Sequence, residues 1–312
     1  MQLIQGGQHL EAWRGGYVSV GNFDGVHLGH QAMIDRLVAG AAAASVSAVV
    51  LTFDPHPIAI LRPGEVPPSL GTLEDKAELL GACGVDAVVA WPTDQALLGL
   101  SPEEFFEQMI CGRLAARGMV EGPNFRFGRD RSGDIDSLGA QCEAAGVSLE
   151  IVEPVSLEGR VISSSVVREA ISGGDVAGAA RLLGRSYRLQ GTVVRGALRG
   201  RTLGFPTANL GGIATLLPAD GVYAALARLD GSDHAAAVHV GGNPTFDEDE
   251  RKIEVHLLDF DGDLYDRTLA VAFVDRIRGT VEFSGREALV RQLEQDVEAV
   301  RSRLASGDGE EG

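Results

Sequence analysis

"VGNFDGVHLGH" (residues 20–30) decides the fold. A short apolar run, "YVSV" (17–20), stops at Gly21, and from Leu28 to about Ala44 apolar residues recur at helical spacing, with Met33, Leu37, Val38 and Ala41 as the stripe. A strand that passes through a glycine turn into a helix is the opening unit of an α/β sheet. The junction also carries chemistry. His27 and His30 stand three apart around Gly29, so in a helix they share a face of its first turn, where unpaired backbone N–H groups point outward. Glycine admits close approach to the backbone, and a helix N-terminus favours an anion by about 0.3–1 kcal/mol, too little without further donors. The competing reading is two exposed or core-capping histidines in a glycine-rich turn.

Outward from this junction, "AVVLTF" (48–53), "DAVVAW" (86–91), "GMVEG" (118–122) and "VSLEIV" (147–152) read as further short buried strands. Helical patterns at Leu73–Ala82, Pro102–Arg117 and Ser137–Ala145 lie between most of them. The alternation predicts a parallel sheet with helices on both faces and ligands at the strand ends. "SSSVVREAISGGDVAGAARLLG" (163–184) predicts two short helices broken at Gly173–Gly174. From Tyr187 the pattern changes: "YRLQGTVVRG", "GVYAALARL", "HAAAVHVGG", "KIEVHLLDF" and "LAVAFVDRI" follow one another without helices, which predicts an antiparallel barrel. A late helix with Leu289, Leu293, Val297, Val300 and Leu304 closes it, and "SGDGEEG" reads as a disordered tail. The change of character divides the chain into domains 1–185 and 186–312.

The bulk numbers agree with two domains: 312 residues, 45% hydrophobic and 23% charged. A formal net charge of -17 argues against nucleic acid or an anionic membrane as the main partner. An anionic small-molecule substrate must then find local positive charge. Cys83, Cys111 and Cys142 are odd in number and widely spaced, which fits neither a disulfide framework nor a zinc site. With no signal-peptide pattern in "MQLIQGGQHLEAW" and no apolar span, the expectation is a cytoplasmic protein, monomeric or weakly homo-oligomeric.

A second element complements the histidines. In "VISSSVVRE", Ser163, Ser164 and Ser165 precede a helix that carries Arg168 about one turn in. Such a run is an ordinary helix cap followed by a solvated arginine, or else hydroxyls, N–H groups and a guanidinium that together clamp a phosphate. "HLGH" and "ISSSVVR" resemble the HxGH and ISSTxxR signatures of the nucleotidylyltransferase superfamily. "GNFDGVHLGHQ", "TFDPHP", "LRPGEVPPSLGTLEDKAELL" and "NFRFGRDRSGD" more closely resemble the bacterial bifunctional riboflavin kinase/FAD synthetase family, and the likeness runs through nearly the whole chain. It implies a nucleotidylyltransferase-like Rossmann domain followed by a small riboflavin kinase β-barrel with a C-terminal helix. For the first domain it implies attack of the FMN phosphate on the α-phosphorus of ATP, giving FAD and pyrophosphate.

That attacking phosphate is already anionic and requires no general base, so donors are what the site needs. The resemblance assigns His27, His30 and Arg168 to catalysis and Gly21, Phe23, Gly29, Ser164 and Ser165 to the nucleotide phosphates around magnesium. His56, Arg62 and Asn124 fall where the family builds its flavin surroundings. Asp24 is unfavourably charged beside a triphosphate, and its other role is to satisfy N–H groups of its own turn. Two departures stand out. The chain reads "EGPNFRFG", with Pro123 removing a backbone donor where the family carries an acidic residue, and Ser165 replaces a threonine.

The second half has its own string. "GTVVRGALRGRTLGFPTANL" (191–210) joins a strand to a glycine- and arginine-rich loop ending in "PTAN", where Thr207 and Asn209 alternate with Ala208 and in an extended segment face one side. A hydroxyl and an amide carbonyl are hard oxygen ligands suited to magnesium, although "PTAN" alone is also an ordinary turn. In "KIEVHLLDF" period two sets Glu254 opposite the stripe of Ile253, Val255 and Leu257. "GRTLGFPTANL" resembles the riboflavin kinase signature, which implies phosphate binding by Gly200, Arg201 and Gly204, metal and ATP binding by Thr207 and Asn209, and Glu254 as proton acceptor for the ribityl hydroxyl. "GVYA", "GGNPTF" and "DGDLYD" extend the likeness, with Asp266 where the family has glycine. Two other readings are a kinase whose first domain is degenerate, and a flavin-binding protein without turnover.

Overall fold

The apolar runs of the first half pair side by side. In chain order its elements are β1 (Gln2–Gln5), β2 (Tyr17–Val20), α1 (Leu28–Ala43), β3 (Ala48–Asp54), α2 (Pro57–Leu61), α3 (Leu73–Ala82), β4 (Ala87–Pro92), α4 (Gln95–Leu98), α5 (Pro102–Phe105), β5 (Gly118–Glu121), α6 (Ile135–Ala145), β6 (Ser148–Ile151) and the hairpin β7 (Ser156–Leu157) and β8 (Arg160–Val161). The structure is a computed structural model that describes all residues except 8, 197–199, 201–202, 244–247 and 308–312. It groups the chain into two units, Met1–Ser164 and Ser165–Gly312.

In the first unit six parallel strands lie in the order β1-β4-β3-β2-β5-β6, the expected Rossmann-like sheet. Side chains alternate between its faces. Val49, Leu51, Val89 and Met119 join Phe105, Phe106, Ile110 and Leu138 on one side; Ala48, Val50, Val88 and Val120 join Ile34, Leu37, Ala77 and Leu80 on the other. A sheet covered twice needs apolar strands throughout, which is why these runs read as continuous.

Three expectations change. The helix expected over Pro102–Arg117 opens as α5, with a Ser101–Glu104 capping box, but widens at Phe106 into a π-helix that ends at Arg113. The wider turn brings the adjacent pairs Phe105–Phe106 and Met109–Ile110 into the core together. α6 starts two residues earlier than expected because Asp134, not a later residue, caps it. β1 was not expected: it is a four-residue edge strand with glutamine at both ends and one buried side chain, Ile4.

The second unit begins with α7 (Ser164–Gly173) and α8 (Val176–Leu183), the predicted pair, α7 starting on the last residue of the first unit. A closed barrel follows, built from β9 (Tyr187–Val194), β10 (Ala208–Gly211), β11 (Gly221–Leu229), β12 (Ser232–Asn243), β13 (Glu248–Leu257) and β14 (Thr268–Arg278) in the order β10-β13-β12-β11-β14-β9. β10 takes in the last two residues of "PTAN" and runs on to Gly211. The helix α9 (Arg286–Gly307) lays Val297, Val300 and Leu304 beside Ala224 and Leu258. Arg278 holds it through two guanidinium nitrogens on Asp296, at 2.9 and 2.7 Å. Of the expected tail, residues 308–312 lie outside the described residues. Among the described residues no helix is long and apolar enough to cross a membrane.

Candidate active sites

The loop between β2 and α1 is buried and strained. Phe23 and Val26 adopt φ of +47° and +40°, the left-handed region that a β-branched valine avoids, at a cost of about 1–3 kcal/mol each. Surrounding contacts hold it: both side chains are buried, Gln31 donates to the Val26 carbonyl at 2.8 Å, and Ser164 Oγ donates to the Asp24 carbonyl at 2.8 Å. Asp24 reaches beyond its own turn. Its Oδ1 accepts the Leu70 N–H at 3.0 Å, so the carboxylate latches a loop 46 residues away.

The two histidines come together as the spacing required, by a different route. His27 is the N-cap of α1 and lies just outside the helix, its Nδ1 accepting the His30 N–H at 3.3 Å. Accepting at Nδ1 puts the His27 ring hydrogen on Nε2. The rings stack at 3.6 Å, and Phe23 approaches His30 at 5.2 Å. Burial, then His27 and Lys76, hold the pKa of His30 well below the ordinary histidine value. His30 is therefore a neutral donor at pH 7. Gly29 leaves room for the stack, since a Cβ there would crowd the His27 ring at 3.2 Å.

Sequence reasoning missed two ionisable groups nearby. Lys76 donates to Thr52 Oγ1 at 3.3 Å; burial lowers its pKa while Asp24 and Asp54 oppose the shift. Glu121, at the end of β5, is fully buried and accepts the Val20 N–H at 2.7 Å where β2 and β5 part. Burial raises its pKa well above the carboxylate range. Neither sits in a motif, and only the fold brings them to the strand ends.

The flavin candidates are spread around this centre. His56 caps α2 by accepting the Ile58 N–H at Nδ1 (3.1 Å), and its Nε2 faces the Asn22 amide at 2.9 Å. Arg62 is exposed and ion-paired with Glu65 at 3.1 Å. Asn124 is exposed in a turn closed by Phe125 N–H on the Gly122 carbonyl at 3.1 Å, in which Pro123 takes the second position that such turns favour. The substitution at Pro123 thus suits its backbone. In the arginine-rich stretch Arg126 pairs with Asp134, and residues 129–131 form a short 3₁₀ turn. Gly21 donates its N–H to the Leu51 carbonyl and sits 3.1 Å, at its notional Cβ, from the Phe23 ring. Ser165 and Arg168 lie one and four residues beyond Ser164 on α7, within the second unit.

In the barrel, Asn209 stands directly across from Glu254, in the register of β10 and β13. Ala208 and Leu210 point inward with Ile253, Val255 and Leu257, so Thr207, Asn209 and Glu254 share the outer face. Glycines give these side chains room: a Cβ on Gly196 would collide with the Asn209 amide, and one on Gly200 would lie 3.1 Å from Thr207 Oγ1. Gly204 turns at φ +89°. Arg201 and residues 244–246 of "GGNPTF" fall outside the described residues. Asp266 adopts φ +61°, the conformation that glycine favours at that place, and donates its N–H to Val193. Among the described residues no cluster of three or more His, Cys, Asp or Glu could hold a metal ion. A magnesium ion suits the Thr207–Asn209 pair all the same, since it takes few protein oxygens and completes its shell with phosphates and water.

Two family models match the chain: FAD synthetase over residues 9–166 and riboflavin kinase over residues 183–304. The bifunctional riboflavin kinase/FMN adenylyltransferase of Pseudomonas fluorescens is 38% identical and covers 98% of this chain and 98% of its own length. That of Bacillus subtilis is 35% identical over 91% of each. A solved structure named as a macrolide-efflux protein of Streptococcus pneumoniae is 32% identical, with a TM-score of 0.87 over 96% of this chain and 99% of its own.

Proposed function

The chain belongs to the family of bifunctional riboflavin kinases/FMN adenylyltransferases, and from that premise we propose how its residues divide the work. It phosphorylates riboflavin to FMN with its C-terminal half and adenylylates FMN to FAD with its N-terminal half. The functional boundary falls at 185/186, which leaves α7 and α8 with the adenylylating half.

In adenylylation the FMN phosphate attacks the α-phosphorus of ATP and pyrophosphate departs. Charge accumulates on the leaving group, and fixed donors lower its energy. His27 and His30 donate to it, His30 from a neutral ring, and the α1 N-terminus adds its N–H groups. Gly21, Phe23 and Gly29 shape the approach of the nucleotide. Ser164, Ser165 and Arg168 hold its phosphates; His56, Arg62 and Asn124 receive the flavin. Arg62 is free to exchange partners, because an exposed pair such as Arg62–Glu65 contributes about 0–1 kcal/mol.

In phosphorylation Glu254 accepts the proton of the ribityl hydroxyl as it attacks the γ-phosphorus of ATP. Gly200, Arg201 and Gly204 receive the phosphates. Thr207 and Asn209 would hold magnesium, whose charge offsets that of the phosphates when bound. What supports this half above all is Asn209 facing Glu254 across two strands. The protein acts in the cytoplasm as a monomer or weak homo-oligomer, in keeping with three cysteines that form no disulfide.

The test offers riboflavin and FMN in turn with magnesium-ATP and separates the flavins by chromatography. Glu254→Gln slows FMN formation by about 10²–10⁴-fold and spares adenylylation, and His30→Ala slows adenylylation and spares FMN formation. Loss of both activities from either change in a folded protein would overturn the two-site division. FMN formed but never adenylylated by the unaltered chain would leave a kinase alone.

A further inference from the structure

We infer that His239 is a positioning residue for riboflavin phosphorylation, fixing the Glu254 carboxylate from the side opposite Asn209. The inference rests on the reading of Glu254 as proton acceptor. Glu254 has two cross-strand neighbours in register, Asn209 on β10 and His239 on β12. All three belong to the outer face, between inward-facing Leu210, Val255, Val238 and Val240. His239 Nδ1 stands 3.9 Å from Glu254 Oε2, and each side chain is about four-fifths covered (21% and 23% exposed). That separation exceeds a hydrogen bond, but catalytic contacts in empty sites are commonly long and close when substrate binds.

The chemistry favours this arrangement. A carboxylate free to rotate offers its lone pairs in many directions; an N–H on Oε2 fixes one oxygen and leaves Oε1 for the hydroxyl. The donor should be neutral, because a cation would stabilise the carboxylate and make it a weaker base. Among the described residues, the charged groups that face His239 are Glu254 on β13, Arg278 on β14, Asp296 on α9 and Asp220 just before β11. Burial and Arg278 outweigh the two aspartates and keep the ring deprotonated at pH 7.

A double-mutant cycle in the full chain tests the inference. His239→Leu is expected to lower kcat for riboflavin phosphorylation about tenfold with KM for riboflavin within about twofold, and His239→Asn, which returns an amide N–H near the Nδ1 position, to recover most of the loss. In a Glu254→Gln background His239→Leu should cost nothing further, because the group it orients is gone. An equal loss in both backgrounds, a change confined to KM, or no change at all would overturn the role of His239. An unchanged kcat in Glu254→Gln alone would overturn the role of Glu254, and this inference with it.

Discussion

Glu121 is a carboxyl group where a carboxylate is costly. Burial raises its pKa and only the Val20 N–H resists the shift, so the folded protein keeps a proton that the unfolded chain releases above pH 4.5. Over that window the folded state binds more protons, and stability falls by about 1.4 kcal/mol per pH unit until the folded group ionises. Glu121→Gln keeps an oxygen for Val20 and cannot ionise. Its melting temperature should match the parent near pH 4.5 and exceed it increasingly as the pH rises, until the folded carboxyl ionises; an offset independent of pH would show that the carboxyl is not the source. Nothing in "GMVEG" signals this, because a glutamate at the end of a strand reads as solvated. The same holds for Lys76 in "LEDKAELL" and His239 in "HAAAVHVGG": their partners are set by strand order and register, whereas His27, His30, Thr207, Asn209 and Glu254 stand in local spacings that carry their meaning along the chain.

At the scale of elements, α1 shows a helix start shaped by its site more than by its own stability. Gly29 is the second residue of the helix, where alanine is favoured by up to about 1 kcal/mol. Its cost is offset by the stack of His27 on His30, which a Cβ 3.2 Å from the ring would push aside. Gly29→Ala should therefore leave the melting temperature unchanged or raised, spare riboflavin phosphorylation, and slow FMN adenylylation about tenfold or more, since small displacements of positioned donors are costly. Adenylylation at the parental rate would sink the argument. Elements whose apolar period matches their final structure were legible: α1, α3, the central strands and the barrel strands other than β10. The π-helix was not, because its widened turn answers the packing of Phe105 and Phe106 against the sheet and not the α-helical period. β1 was hidden by its flanking glutamines, and β10 by its four-residue length beside a glycine-rich loop.

At the scale of the whole molecule, a chain of net charge -17 carries out chemistry on phosphates, so its donors must be gathered locally. The instructive element is α7. It starts at Ser164, whose hydroxyl holds the Asp24 carbonyl, yet its remaining residues group with the second unit, where Ile171 accepts the Ala219 N–H at 3.2 Å and α8 packs on β9 and β14. Packing alone would cut the chain after Ser164; the proposed chemistry of Ser165 and Arg168 requires a cut after α8. Two fragments separate these views. Residues 1–185 should adenylylate FMN, at reduced stability because α8 loses β9 and β14, on which it packs. Residues 1–164 keep the histidine pair but lack the guanidinium, and their turnover should fall by on the order of 10²–10³, the usual effect of removing a donor to developing charge. Equal turnover by the two fragments would make Arg168 dispensable and move the functional boundary to the packing boundary.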